Sequence, residues 1–172
     1  MARVILPSLT SEEVEYLIAS AENVRDKAII SLFADSGIRL NELIHIKECD
    51  IDLDSMTVTV WGKGGKQRKA PFTKRSAKLL KLVLKDNRVT KKNIWGLSRR
   101  GIQIMLYCLQ ERIGLPCNPH TFRRTFASNM HRAGLDIEHI MRLGGWESLD
   151  MVLSYTRSVR FEESLRVFRE MR

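Results

Sequence analysis

The sequence of 172 residues predicts a mainly α-helical domain that contains one small three-stranded antiparallel β-sheet. Apolar residues recur at helical spacing along most of the chain, whereas the run MTVTVW alternates with the period of a strand. The glycine-rich segment GKGGK then joins this run to QRKAPF, as the turn of a β-hairpin would. The length favours a single domain over residues 1–172, which can bury one core without disulfides or a structural metal.

Boundary residues predict where the helices begin and end. Thr10 and Glu13 have the spacing of a capping box and predict a helix start. Gly37 is expected to end the second helix, and a third helix begins near Arg39. Arg39 and Glu42 then stand at i and i+3 and can lie on the same side of that helix start. The remaining helices are predicted over residues 25–35, 73–85, 98–112, 120–132, 137–143 and 148–156.

The strands of the predicted sheet cover residues 51–54, 56–61 and 67–72. The tip between the second and third strands is basic and rich in glycine. It is not a nucleotide-binding loop, because it lacks the pattern GxxxxGK[ST] and leads into a strand, not a helix.

Composition narrows the class of partner. Lys and Arg total 29 against 20 Asp and Glu, so the net charge is +9, which favours polyanionic partners and nucleic acid above all. The cysteines Cys49, Cys108 and Cys117 are odd in number and lack CxxC spacing, which argues against a disulfide framework and a zinc site. No apolar run has the length of a membrane span, so we expect a cytoplasmic protein, nucleoid-associated or in the host cytoplasm if viral.

Several polar side chains have the chemistry needed to split a phosphodiester. Arg39 and Arg123 can supply planar, permanently charged forks for the non-bridging oxygens. His120 can donate to a phosphate oxygen or take up a proton, and Trp146 offers an indole N–H donor. A lysine at the hairpin tip, Lys63 or Lys66, could protonate the leaving 5′ oxygen.

Tyr155 is the candidate nucleophile, because cationic groups around it would favour loss of its proton. Taken singly, each of these residues has an ordinary structural explanation. Their combination and order in the chain carry the prediction.

These residues resemble the catalytic set of the tyrosine recombinases, the phage-integrase family. The resemblance rests on Arg39 in GIRLNEL, Lys63 in WGKGGK, His120-x-x-Arg123, Trp146 in LGGW and Tyr155, and it covers nearly the whole chain. It implies the catalytic-domain fold of this family. It also implies a site-specific recombinase that cleaves and rejoins DNA through a 3′-phosphotyrosine intermediate, with no cofactor, metal or ATP.

The resemblance assigns a role to each residue. Arg39 and Arg123 would be the two catalytic arginines, and Glu42 would support the first of them. Lys63 would be the general acid and His120 the acid/base histidine. Trp146 would fill a position that many members give to a second histidine, so its hydrogen bond would remain while proton transfer would be lost.

The resemblance also implies partners. The chain would act on double-stranded DNA as a homotetramer on two sites, a dimer on each, and would be a monomer without DNA. Residues 160–172 form a helix with an apolar stripe that could be exchanged between subunits or could fold back on its own domain. Basic residues expected to contact the DNA backbone are Lys66, Arg68, Lys69, Lys74, Arg75, Arg99, Arg100 and Arg124.

Members of the family carry an N-terminal helical domain that closes around the duplex, and we expect it to be absent from these residues. The chain would then be a fragment of a longer integrase, which we favour, or one of the short single-domain members that invert DNA. The enzymatic alternatives are a type IB topoisomerase-like nickase and, more distantly, a telomere resolvase. Outside enzymes, the alternatives are a DNA-binding module that has lost catalysis and a basic helical scaffold.

Overall fold

The computed structural model describes residues 7–86, 93–156 and 161–171 and confirms the predicted mainly helical architecture. The elements follow one another in the predicted order, and their ends lie within two residues of the predicted ones. They are α1 (Ser11–Ser20), α2 (Val24–Ser36), α3 (Leu40–Leu43), β1 (Ile51–Asp52), β2 (Thr57–Trp61), β3 (Gln67–Pro71), α4 (Lys74–Leu84), α5 (Arg99–Ile113), α6 (Pro119–Arg132), α7 (Ile137–Gly144), α8 (Leu149–Thr156) and α9 (Phe161–Glu170). Single 3₁₀ turns at Glu48–Asp50 and Lys63–Gly65 were not predicted.

Capping contacts fix the helix ends. Thr10 and Glu13 form the predicted capping box at the start of α1. Gly37 ends α2 in the left-handed conformation, with φ +58°, and a Cβ there would lie 2.8 Å from the Phe126 ring. This position therefore needs glycine both for its backbone conformation and for the close approach of α6.

The three strands form one antiparallel sheet in the order β1-β2-β3. Val60 on β2 stands opposite Arg68 on β3, so the strand register is set close to the hairpin tip. The predicted first strand is shorter than expected. Its chain turns at Asp52, whose side chain accepts the backbone N–H groups of Asp54 and Ser55 at 3.0 Å each.

Two apolar clusters hold the helices together. The larger one surrounds α2, whose Ile29, Ile30, Leu32 and Phe33 are fully buried. The smaller one joins α6, α7 and α8 through Phe126, Ala127, Ile140, Trp146 and Val152. The smaller cluster brings together the segments that carry Arg123, Trp146 and Tyr155.

α9 carries an exposed apolar stripe. Phe161 is 75% exposed and Met171 is 80% exposed, while Leu165 is half-buried. Residues 160 and 172 of the predicted last helix lie outside the described residues. Within the described residues, every helix, α9 included, is too short or too polar to cross a membrane.

Candidate active site

Arg123 projects from α6 into the interior between α2 and α7. Asn118 caps α6 and Pro119 opens it, so Arg123 comes one turn into the helix. Its side chain is buried, and its Nη1 donates to the carbonyls of Gly37 and of Gly144, the latter at 3.2 Å. Two backbone carbonyls therefore hold the guanidinium in place without a ligand.

Arg39 and Glu42 form the predicted pair at the start of α3. Glu42, only 1% exposed, accepts the Arg39 backbone N–H at 2.7 Å and the Arg39 Nη1 at 3.3 Å. Nη2 of Arg39 donates to the carbonyl of Gly145 at 3.0 Å. The prediction that these two side chains lie together is confirmed.

Glu42 has a second arginine partner, Arg68 of β3. The Arg68 Nε and Nη2 atoms donate to the two carboxylate oxygens at 3.1 and 2.8 Å. Burial alone raises the pKa of Glu42, but the hydrogen bond and charge of Arg68, followed by those of Arg39, lower it below its usual value. The carboxylate is therefore ionised at neutral pH, and removing one partner from such a buried pair typically costs about 3–5 kcal/mol.

Trp146 lies at the centre of the site. Its ring centroid is 4.4 Å from Cζ of Arg123, a cation–π contact, and 5.8 Å from the centroid of the Tyr155 ring. The indole covers the backbone of Gly144, where a Cβ would stand 1.9 Å from the ring. Its Nε1 is buried and has no hydrogen-bond partner among the described residues. An unpaired buried N–H donor is rare in folded proteins.

Tyr155 is half-buried on α8. The helix is anchored by Val152, which is fully buried, and by Ser128, whose Oγ donates to the Tyr155 carbonyl at 2.9 Å. The Tyr155 ring is tilted by 55° against the Trp146 ring. Packing of α8 on α6 thus places the tyrosine beside the arginine and indole.

The site carries an excess of positive charge. Burial, and next the charge of Arg39, lower the pKa of Arg123 to about 10, while Glu42 and Tyr155 raise it. At that value Arg123 is still charged at neutral pH. Arg39, Arg68 and Arg123 thus surround the single carboxylate of Glu42, so an anion placed among them would be stabilised.

The side chains of Lys63 and His120 are exposed, and His120 lies one helical turn before Arg123 on α6. Lys63 lies on the 3₁₀ turn at the hairpin tip, which a hydrogen bond of 2.7 Å from the Gly62 N–H to the Lys66 carbonyl closes. A Cβ at Gly62 would stand 3.9 Å from Glu42 Oε1, so the base of the hairpin lies beside the carboxylate. The structure thus brings Arg39, Glu42, Arg123, Trp146 and Tyr155 into one connected cluster, and the side chains of Lys63 and His120 are exposed.

The basic residues expected to contact DNA fall into two groups. Five are exposed, namely Lys66, Lys69, Lys74, Arg99 and Arg100. Three have partners inside the protein. Arg75 binds Asp35 at 2.6 Å and also Glu15, Arg124 donates to the Pro7 carbonyl at 3.1 Å, and Arg68 binds Glu42.

Sequence reasoning missed the internal position of Arg68 and the requirement for Gly144. Arg68 stands two residues before the fully buried Ala70 on β3, so strand alternation places both on the inward face. The sequence signal for the internal position of Arg68 was therefore an arginine at an inward-facing position of a strand. No comparable signal marks Gly144, because its need depends on where the Trp146 ring lies.

Comparisons with known proteins identify relatives of this chain. Residues 7–161 match the Phage integrase family. The chain is 35% identical over 162 residues to the tyrosine recombinase XerC of Staphylococcus saprophyticus, covering 84% of this chain and 55% of the relative. It is 30% identical over 160 residues to the tyrosine recombinase XerA of Pyrococcus horikoshii, covering 87% of this chain and 56% of the relative. The chain thus spans about half the length of the curated relatives that it matches.

Solved structures show the same fold. The crystal structure of XerA recombinase superposes with a TM-score of 0.81 at 27% identity, covering 98% of this chain and 66% of that one. The Tn1549 transposon integrase in complex with a circular intermediate DNA superposes with a TM-score of 0.77 at 17% identity, covering 99% of this chain and 67% of that one. The predicted fold is therefore confirmed.

Proposed function

Because the chain belongs to the phage integrase family, we propose that it is the catalytic part of a site-specific recombinase that cuts and rejoins DNA through a 3′-phosphotyrosine intermediate. One observation carries the proposal. The Trp146 indole contacts the Arg123 guanidinium and the Tyr155 ring, at 4.4 and 5.8 Å from its ring centroid, and its N–H is buried and unpaired among the described residues. A nucleophile therefore stands beside a fixed cation and an available donor, which is what in-line attack on a phosphodiester requires.

Each group has one task in the proposed transesterification. Oη of Tyr155 attacks the scissile phosphorus and gives its proton to His120, while the bond from phosphorus to the 5′ oxygen breaks. Lys63 protonates that oxygen, which leaves as a 5′-hydroxyl. Arg39 and Arg123 neutralise the non-bridging oxygens, and Trp146 donates its N–H to one of them. Glu42 holds Arg39 in place.

Rejoining is the reverse of this step. A 5′-hydroxyl attacks the phosphotyrosine, and the tyrosine leaves with its proton restored. Because the covalent bond keeps the energy of the phosphodiester, the proposed cycle consumes no ATP. The arginines and the indole supply the charge stabilisation, so the proposed cycle needs no metal ion.

The proposed substrate is double-stranded DNA, bound by a tetramer on two sites with a dimer on each. The net charge of +9 and the exposed basic residues named above support a polyanionic partner. The Tn1549 integrase and XerH recombinase, which share the fold, were solved with DNA. The exposed stripe on α9 supports contact between subunits.

Covalent trapping tests this function. The protein is incubated with nicked, partly randomised duplexes, which lose the short 5′-hydroxyl strand after cleavage, and is then run on a denaturing gel. We expect an adduct with the unchanged chain and none with Tyr155→Phe, because that substitution removes only the attacking oxygen.

The matched control is Tyr107→Phe, since Tyr107 is 60% exposed on α5 and lies outside the cluster. It should form the adduct at the normal rate. An adduct that survives Tyr155→Phe would move the nucleophile elsewhere. Salt-dependent DNA binding with no adduct, even after an N-terminal helical domain is supplied, would instead indicate a binding module.

A further inference from the structure

The turn that leads from α7 into Trp146 is held by arginines from three different parts of the chain. Three successive carbonyls at the C-terminus of α7 each accept a hydrogen bond from a different guanidinium. The pairs are Leu143 with Arg68 at 2.9 Å, Gly144 with Arg123 at 3.2 Å and Gly145 with Arg39 at 3.0 Å. Carbonyls at a helix C-terminus lack helical partners and carry partial negative charge, so cations are favoured there.

Arg68 differs from the other two arginines in how its donors are used. Its Nε and Nη2 hold both oxygens of Glu42, and its Nη1 holds the Leu143 carbonyl. Its side chain is 17% exposed, against 40% for Arg39. A guanidinium edge already engaged with a carboxylate does not offer that fork to a phosphate. These contacts argue against the role in DNA backbone binding expected for Arg68.

Glu42 links Arg68 to Arg39, because its carboxylate binds both side chains. The carboxylate has 1% exposure and binds both arginines at once. Without Arg68 it would keep only the longer side-chain contact of 3.3 Å and the backbone N–H of Arg39. A buried carboxylate that loses its closer partner changes position or draws in another cation, and Arg39 would be displaced in either case.

Arg68 also supports the backbone just before Trp146. A Cβ built on Gly145 would lie 2.3 Å from Arg68 Nε, so the glycine backbone rests directly on the guanidinium group. Gly145 has φ +64°, a left-handed conformation, and its N–H bonds back to the Arg142 carbonyl at 3.4 Å. The next amide, that of Trp146, bonds to the Met141 carbonyl at 3.0 Å. Arg68 therefore lies beneath the turn that orients the indole.

We propose that Arg68 is a positioning residue of the active site, which joins Glu42 to the turn of residues 143–145 and so fixes Arg39 and Trp146 for the reaction. Its place on β3, opposite Val60, also ties the base of the hairpin that carries Lys63 to the rest of the site. This inference rests on the proposed function, which gives Arg39, Trp146 and Lys63 their tasks. It assigns Arg68 no contact with DNA.

The test compares Arg68→Gln with Arg112→Gln. Arg112 is a matched control. It lies on α5, away from the cluster, and forms an ion pair of 3.2 Å with Glu22. For Arg68→Gln we expect the rate of adduct formation at saturating DNA to fall about 100-fold, the scale expected when catalytic groups are misplaced by about 1 Å. The DNA affinity and its salt dependence should stay close to those of the unchanged chain, and Arg112→Gln should change neither quantity.

Two further variants separate positioning from simple loss of stability. Arg68→Lys keeps the charge but cannot bridge both oxygens of Glu42, so it should recover only part of the cleavage rate. Adding Glu42→Gln to Arg68→Gln removes the uncompensated carboxylate and should restore the unfolding temperature, but not the cleavage rate. Recovery of both by the double variant would overturn the proposal. A loss of affinity with a salt slope lowered by about 1, at an unchanged cleavage rate, would return Arg68 to DNA binding.

Amide hydrogen exchange tests whether Arg68 holds the turn without a cleavage assay. In Arg68→Gln the amides of Gly145 and Trp146 should exchange about 10-fold faster, since the support of their turn is lost, while Arg112→Gln leaves them unchanged. Unchanged exchange in Arg68→Gln would overturn the proposal. If the unchanged chain forms no adduct, the proposed function fails, and this measurement still shows whether Arg68 holds the turn.

Discussion

At the scale of single residues, the site is built from cations whose positions are fixed by backbone carbonyls. Arg123 is held by Gly37 and Gly144, and Arg39 by Gly145 and Glu42. Such contacts set the direction of each guanidinium in advance, so less reorganisation is needed when charge develops on a phosphate. In the proposed reaction, the buried N–H of Trp146 is one more donor for the charge on the phosphate.

The role of Arg123 can be separated from general attraction to DNA. Arg123→Gln should lower the rate of adduct formation at saturating DNA by roughly 100- to 1000-fold, the range seen when one donor to a developing oxyanion is removed. The DNA dissociation constant should rise less than about 3-fold, because other basic residues also hold the phosphate backbone. Single-turnover cleavage and fluorescence anisotropy measure the two quantities.

Arg123→Lys serves as the control, since it keeps the charge and loses the fork. It should bind DNA like the unchanged chain and cleave at an intermediate rate. Both variants need a thermal unfolding curve, because the side chain also donates to the carbonyls of Gly37 and Gly144. Equal losses of binding and cleavage in a folded Arg123→Gln would count against the catalytic assignment.

The sequence revealed the residue types of the site better than their contacts. Arg39 and Glu42 were paired in advance because i and i+3 positions of a helix are neighbours. The contacts of Arg68 with Glu42 and Leu143 join residues 26 and 75 positions apart, and no local pattern encodes them. They depend on how β3 and α7 pack, which is fixed only in the folded chain.

At the scale of elements, the helix and strand positions followed from capping residues and periodicity. The capping box at Thr10 and the end of α2 at Gly37 were both predicted and both found. The short β1 was harder to anticipate, because the turn at Asp52 depends on side-chain hydrogen bonds to the next residues. Local competition between a strand and a turn is not visible in hydrophobic periodicity.

α9 supports an element-scale prediction. If the stripe serves exchange between subunits, the double variant Phe161→Ser, Met171→Ser should lose assembly on DNA and keep the fold, because both side chains are 75% or more exposed. Sedimentation with and without DNA measures assembly, and circular dichroism measures the fold. A chain that ends at residue 160 should behave in the same way.

The control for this prediction is Leu82→Ser, an apolar residue of α4 that is 51% exposed. It removes exposed apolar surface without touching the stripe, and assembly should be normal. A chain ending at residue 160 that fails to fold would show that α9 belongs to its own domain. Normal assembly by the double variant would refute exchange through these residues.

At the scale of the whole molecule, the site combines residues from both halves of the chain. α3 and β3 come from the first half of the chain, and α6, α7 and α8 come from the second. The cluster around Phe126, Ile140 and Val152 joins the helices of the second half, and the arginine contacts close the gap between the halves. A net charge of +9 favours a polyanionic partner, as the proposed function requires.

The central claim is that Tyr155 carries the DNA during the reaction, and the adduct itself tests this most directly. The trapped complex is digested with protease and nuclease, and mass spectrometry identifies the side chain that carries the nucleotide. The chain has three tyrosines, so the assignment is unambiguous at the peptide level. We expect a 3′-phosphate joined to Tyr155 and a free 5′-hydroxyl on the released strand. A nucleotide on another side chain, or a 5′-phosphate linkage on Tyr155, would contradict the account.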